Sequence, residues 1–174
     1  MLVLVVGPSG AGKDTLLEAA RQALADDPRF RFVRRVITRP ADAGGEAHEA
    51  VTPEDFARRA FALQWQAHGL SYGIPADAIV DIAHGKVVVA NASRTVIAAA
   101  ARRFPTRVIE VTASPDVLAA RLASRSREDA VDVARRLART VALPADVGAM
   151  TIVNDGTLEE GVERFLAAVR GCAD

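Results

Sequence analysis

Apolar residues recur along the chain in two alternating patterns. Leu2–Val6 is an unbroken apolar run, as expected of a strand buried on both faces. A glycine-rich stretch follows, and from Lys13 to about Ala25 the apolar positions take helical spacing. Runs at Phe32–Ile37, Lys86–Ala90, Arg107–Thr112 and Met150–Val153 predict further strands. Helices are predicted between or after them, at about Ser93–Arg103, Pro115–Ala123, Glu128–Ala142 and Thr157–Arg170. Ser114-Pro115 reads as an N-cap followed by a first-turn proline. Strands alternating with helices imply an α/β fold, a parallel sheet flanked by helices. The stretch from Ala41 to His84 departs from this alternation. It holds Gly44-Gly45, the only Tyr and Trp, and all three histidines. We read it as a small inserted acceptor-binding subdomain, at about 41–84, in a single domain whose core spans 1–40 and 85–174.

Composition narrows the chemistry. The chain has 174 residues, 50% hydrophobic and 25% charged, the size of one globular domain. Its formal net charge is zero, which removes any global electrostatic case for nucleic acid or an anionic membrane. Any basic site is therefore local. A single cysteine, Cys172, excludes an intrachain disulfide framework and a Cys-rich zinc site. The opening MLVLVVG is too short for a membrane span and lacks signal-peptide features, so a cytoplasmic location is expected. Ala is roughly a fifth of the chain, and among the 22 basic residues only Lys13 and Lys86 are lysine. We read the arginine excess mainly as codon bias, and against it the two lysines are conspicuous.

Lys13 closes the strongest motif. Gly7-Pro8-Ser9-Gly10-Ala11-Gly12-Lys13 matches the phosphate-binding pattern G-x-x-x-x-G-K, in the strand–loop–helix context that the motif requires. Its glycines let backbone N–H groups turn inward around an anion, and the following helix adds its N-terminal dipole. Lys13 reaches the β- and γ-phosphates of a nucleoside triphosphate as a point charge, so ATP with Mg²⁺ is the expected cofactor pair. The pattern usually continues with Ser or Thr as a metal ligand; here Asp14 stands there, followed by Thr15. A carboxylate is a hard oxygen ligand suited to Mg²⁺. Three arrangements stay open: Asp14 ligating directly, Asp14 acting through water, or Asp14 as a helix-terminal carboxylate with Thr15 as the ligand.

Arginines supply the rest of the candidate chemistry. Arg29, Arg31, Arg34, Arg35 and Arg39 crowd the segment between Pro28 and Pro40 with no acidic residue among them. Strand alternation gives Arg35 and Arg39 a parity different from Arg34, and Arg29 and Arg31 read as a solvated edge. A second cluster holds Arg121, Arg125, Arg127, Arg135, Arg136 and Arg139, interrupted by Glu128, Asp129 and Asp132. Arg121 and Arg125, four apart, share a helix face. Planar multidentate cations suit a transferring phosphoryl group, whose charge spreads over its equatorial oxygens. No general-base signature accompanies them. An acceptor that is itself a phosphate is already ionised and needs no base, so the pattern favours a phosphate acceptor. The histidines lack metal-ligand spacing. His84-Gly85 reads as a helix C-terminus and His68 as part of a loop between strands, while His48 is retained as a candidate substrate contact.

Together these residues resemble the guanylate kinase family and, within its superfamily, the ribose 1,5-bisphosphate phosphokinases of bacterial phosphonate catabolism. The resemblance covers essentially the whole chain. It rests on GPSGAGKDT, FVRRVITRPADAGGEAHEAV, FALQWQAHGLSYGIP, VVVANASR, RLASRSREDAVDVARRL and IVNDGTLEEGV, in that order. It implies a P-loop NTPase fold with a helical lid at about 121–139, and ATP-dependent conversion of ribose 1,5-bisphosphate to 5-phosphoribosyl 1-diphosphate. It further implies that Arg39 and Tyr72 grip the acceptor phosphate and that His48 matches a second phosphate-binding tyrosine. By the same resemblance Glu46, Ser93 and Arg94 lie on the acceptor side, and Arg121, Arg125 and Arg136 close over the phosphates.

Departures from guanylate kinase cluster where a purine would bind. Leu63 or Gln64 replaces the guanine-recognising Glu, Asn91 and Ser93 replace two carboxylates, Arg35 replaces a small hydroxyl residue, and Asp42 replaces a second arginine. Three other readings compete: a nucleoside monophosphate kinase, a gluconate-type sugar kinase that would lack its base, and an inactive guanylate kinase-like domain that binds a protein. Retention of Lys13 and the loop glycines counts against the last. Small-molecule substrates are expected, with no nucleic acid or membrane partner, and homodimerisation is left open.

Overall fold

A computed structural model describes residues 1–41, 47–125 and 147–173. In chain order its elements are β1 (Leu2–Val6), α1 (Lys13–Ala23), β2 (Phe30–Val33), β3 (Val36–Ile37), β4 (Glu49–Ala50), α2 (Pro53–Ala57), β5 (Phe61–Ala67) and β6 (Leu70–Pro75). These are followed by α3 (Val80–Ala83), β7 (Val87–Asn91), α4 (Ile97–Ala101), β8 (Thr106–Thr112), α5 (Pro115–Arg125), β9 (Ala149–Val153) and α6 (Leu158–Arg170). Short 3₁₀ segments at Ala76–Ile79 and Arg94–Val96 precede α3 and α4.

Among the described residues, five parallel strands form the central sheet in the order β2-β7-β1-β8-β9. β1 lies in the middle, and its five residues are all buried, as the unbroken apolar run implied. One sheet face packs Val3, Val5, Ile109 and Val111 against Leu16 and Ala20 of α1 and Phe165 of α6. The opposite face presents Leu2, Leu4, Val6, Val88 and Val108 to Val96, Ile97 and Ala100.

A second, four-stranded sheet in the order β4-β3-β6-β5 adds Ala62, Leu63 and Ile74 to that same cluster. The two sheets thus share one core. Burying each large aliphatic side chain there contributes roughly 1.5–3 kcal/mol, which fixes the second sheet against the first. The β5–β6 hairpin turns through His68 and Gly69, whose φ of 53° and 72° give the double positive-φ turn that suits strand twist. At Gly73 a β-carbon would lie 2.3 Å from the Phe61 ring, which stacks on Phe56.

The predicted strand Phe32–Ile37 is divided between the sheets. Phe30–Val33 pairs with β7, whereas Val36–Ile37 pairs with β4 and β6. Arg34, exposed, and Arg35, half-buried, form the step between them. Side-chain alternation therefore does not carry across this segment. The predicted helix Ser93–Arg103 is a 3₁₀ turn, tightened by the Ser93 hydroxyl accepting from the Thr95 N–H, followed by the short α4. α5 starts at Pro115, and His84 ends α3 as expected. The predicted helix Glu128–Ala142 lies outside the described residues. Among those described, no helix is long and apolar enough to cross a membrane.

The start of α6 carries a reciprocal cap: Thr157 accepts from the Glu160 N–H, and Glu160 accepts from the Thr157 N–H. Thr157→Ala should lower the unfolding free energy by about 1 kcal/mol with an unchanged denaturant slope, read by urea titration.

Candidate active site

The site grows from the carboxyl edge of the central sheet. β1 ends at Val6, and Gly7 follows with φ 145°, its backbone pressed against β8. A β-carbon at Gly7 would sit 1.9 Å from the Val111 carbonyl oxygen, so only glycine fits. The chain then passes Pro8, Ser9, Gly10 and the buried Ala11 to Gly12, with Ala11 N–H donating to the Pro8 carbonyl. α1 begins at Lys13 and aims its N-terminal dipole into this loop. Lys13 Nζ donates to the carbonyl oxygens of Gly7, at 2.9 Å, and Pro8, at 2.8 Å, so the ammonium lies across the loop.

Asn154, just beyond β9, braces the loop from outside. It is buried, and its Nδ2 donates to the Ala11 carbonyl at 2.8 Å. β-carbons at Gly12 or Gly161 would each come within 2.5 Å of the Asn154 amide. The next residue, Asp155, accepts from the Ser114 N–H and so ties the start of α5 to the same corner. Sequence reasoning assigned Asn154 no role; the signal was a polar pair between an apolar strand and a capping box.

Asp14, in the first turn of α1, accepts a 2.9 Å hydrogen bond from Asn91 Nδ2 at the end of β7. Thr15 is exposed. Mg²⁺ characteristically takes one or two carboxylates together with substrate phosphates, and a hard carboxylate beside the loop fits that habit.

The second sheet turns one face towards the core. Leu63 and Ile74 occupy its buried end, and Trp65 pairs opposite Tyr72 one step further along the same face. The two rings stack with centroids 5.6 Å apart and planes 7° from parallel. The Arg35 guanidinium lies over both, 5.6 Å from the Trp65 centroid and 5.2 Å from that of Tyr72. Stacking on aromatic faces orients a guanidinium while leaving its edge N–H groups for an anion. Arg39 Nη2 lies 3.2 Å from His48 Nδ1, and His48 Nε2 lies 3.2 Å from the Arg39 carbonyl. Arginine only donates, so this pairing requires the imidazole proton on Nε2. His48 therefore holds Arg39, whose buried Nε has no hydrogen-bond partner among the described groups.

Ser93 and Arg94 lie beside the carboxyl ends of β7 and β1. Arg94 is largely buried and pairs with Glu110 of β8, whose other oxygen accepts from Thr151 Oγ1 at 3.3 Å. Trp65 and Glu110 are further residues that the sequence reading passed over. Arg121 comes from α5 and reaches the loop: its Nη1 lies 3.9 Å from where a Gly12 β-carbon would be. Arg125 lies on the last turn of α5 with its side chain outside the described part, and Arg136 and Glu46 also fall outside the described residues. By contrast, Arg29 pairs with Asp27, and Arg31 with Asp77 and Asp81, away from the loop. Lys86, the other lysine, pairs with Asp81.

Comparison with known proteins follows from this geometry. An AAA domain family model matches residues 2–142. The ribose 1,5-bisphosphate phosphokinase PhnN of Acidiphilium cryptum is 53% identical, over 99% of this chain and 94% of its own length. The protein of the same name from Methylobacterium radiotolerans is 49% identical, over 98% of each chain. Among solved structures, a guanylate kinase from Anaplasma phagocytophilum superposes with a TM-score of 0.62 at 19% identity, covering 99% of this chain and 86% of that one, a likeness of fold.

The close approach at Gly7 yields a direct test. Gly7→Ala should fold with reduced stability and bind ADP at least about tenfold more weakly, read by calorimetry beside a thermal melt. Unchanged ADP affinity would show that the loop tolerates a β-carbon.

Proposed function

The chain belongs to the ribose 1,5-bisphosphate phosphokinase family of P-loop kinases, and on that premise we propose that it transfers the γ-phosphoryl group of ATP to the C1 phosphate of ribose 1,5-bisphosphate. The products are 5-phosphoribosyl 1-diphosphate and ADP, made in the cytoplasm during phosphonate breakdown. An oxygen of the C1 phosphate forms the new P–O bond as the bond from the γ-phosphorus to the β–γ bridging oxygen breaks. The bonding electron pair leaves with ADP. The attacking oxygen is already ionised, so the residues have no proton to remove. Their work is to position the reactants and compensate charge.

The loop and Lys13 hold the β- and γ-phosphates. Asp14 would hold Mg²⁺ from the protein side, and the ion when bound would compensate charge on those phosphates. Arg39, steadied by His48, and Tyr72 hold the phosphate to be extended. Arg35 receives the acceptor's remote phosphate, with Glu46, Ser93 and Arg94 on the same side. Arg121, Arg125 and Arg136 close from the lid over the transferring group.

The observation that carries this reading is Arg35 spread across the Trp65–Tyr72 stack. It puts a cation beside the tyrosine, where a purine-binding site needs hydrogen-bond acceptors. Neither candidate for a guanine-binding residue fits that need: Leu63 is buried in the shared core, and Gln64 points to the opposite face of β5 from Trp65.

Two variants test these roles. Arg35→Ser should lower kcat/KM for ribose 1,5-bisphosphate by about 10- to 100-fold, with little change in KM for ATP and no gain of activity on GMP. Brisk turnover of GMP by the wild-type protein, with none of the bisphosphate, would overturn the assignment; phosphorus NMR of the products distinguishes the two. Arg121→Ala should cut kcat by about 100-fold or more if its contact belongs to the transition state. A raised KM for ATP with unchanged kcat would reduce it to a ground-state contact.

A further inference from the structure

P-loop enzymes hold Mg²⁺ with the hydroxyl that follows the loop lysine and an acidic residue from another strand. Both positions depart from that scheme here, and the structure brings the departures together. Asp14 follows Lys13 in place of the hydroxyl residue, and Asn91 ends β7, the strand directly beside β1, with Val5 opposite Asn91 in the ladder. The Asn91 side chain, 6% exposed, donates from Nδ2 to Asp14 Oδ1 at 2.9 Å.

We propose that the carboxylate of this site has changed places with its neutral partner: Asp14 supplies it from the start of α1, and Asn91 is a positioning residue that orients it. The proposal rests on the reading above only in taking the chain to bind a nucleotide with a divalent cation. An ionised carboxylate only accepts hydrogen bonds and an amide N–H₂ only donates, so the contact has one sense. It fixes the rotation of a short side chain that would otherwise sample several directions from the helix end.

Charge explains why the exchange is reciprocal. With Asp14 in place, an aspartate at 91 would set two like charges within hydrogen-bonding distance and double the negative charge that faces the triphosphate. With a hydroxyl residue at 14, an asparagine at 91 would leave the pair without a carboxylate. Each residue is acceptable because of the other. The loop, facing triphosphate, keeps a single negative charge in either arrangement.

Calorimetric ADP binding, with Mg²⁺ and with EDTA, reads this coupling without any acceptor, so a failed acceptor assignment leaves the result unaffected. The proteins are wild type, Asp14→Ser, Asn91→Asp and the double variant. Asp14→Ser should shrink the Mg²⁺-dependent gain in ADP affinity by about tenfold, and the double variant should restore it to within about threefold of wild type. Asn91→Asp alone, with a second carboxylate facing the phosphates, should weaken ADP binding in EDTA. Asn91→Leu should shrink the Mg²⁺-dependent gain, and by more than it changes affinity in EDTA. Should that buried leucine unfold the protein, the near-isosteric Asn91→Asp series still decides. A double variant no better than Asp14→Ser alone would overturn the exchange.

Discussion

Basic side chains at the phosphate loop and on the second sheet are each held by an anchor of a different kind. Lys13 lies on loop carbonyls, Arg35 on two aromatic faces, Arg39 on an imidazole and Arg94 on a carboxylate. A carbonyl, a ring face or a neutral imidazole orients a cation without cancelling its charge, so that charge stays available to phosphate. Glu110, by contrast, cancels much of the charge of Arg94. Arginines elsewhere follow a different rule: Arg21, Arg29, Arg31 and Arg59 pair with carboxylates on the surface, where such bridges contribute little.

These anchors matter only if the loop and the second sheet keep a fixed relation, since small misplacements of a reacting phosphate are costly in rate. The shared hydrophobic cluster sets that relation. Leu63 and Ile74 pack on the face of the central sheet that carries Leu2, Leu4 and Val6, one step along β5 and β6 from Trp65 and Tyr72. Val6 leads directly into the phosphate loop. The loop itself is closed from behind by Val111 against Gly7 and by Asn154 against Ala11 and Gly12. Packing thus relates the aromatic platform to the loop through only a few residues of chain.

What could be read from the sequence follows from how local each signal is. The central strands, α1 and α6 were legible because a buried run or a helical period lies within one segment. The loop was legible because its spacing carries its own mechanism. The division of Phe32–Ile37 was not, because its apolar residues look the same whichever sheet receives them; only the tertiary partners of Val36 and Ile37 separate the halves. The Ser93 turn was missed because the hydroxyl competes locally with helix start geometry. Among the arginines, sequence placed Arg35 and Arg39 near the site by resemblance, yet it could not show that His48 holds Arg39. Asn154 and Glu110 were invisible for the same reason: their partners lie far away in the chain, at Ala11 and Arg94.

An acceptor site built from cations discriminates differently from one built for a base. Guanine offers N–H donors on the edge that a kinase must grip, so its site requires acceptors. Arginine has five N–H groups and accepts nothing. A guanine beside Arg35 could still offer it O6 and N7, but its N1–H and 2-amino donors would gain no acceptor from the guanidinium, a cost that weakens binding of the base. A second phosphate reverses the sign. It offers acceptors and charge where Arg35 offers donors and charge, and the stack beneath holds the guanidinium in one plane before the ligand arrives. On the proposed assignment, one stacked arginine in place of carboxylates would do two things together: disfavour the base and favour a sugar carrying phosphate at both ends.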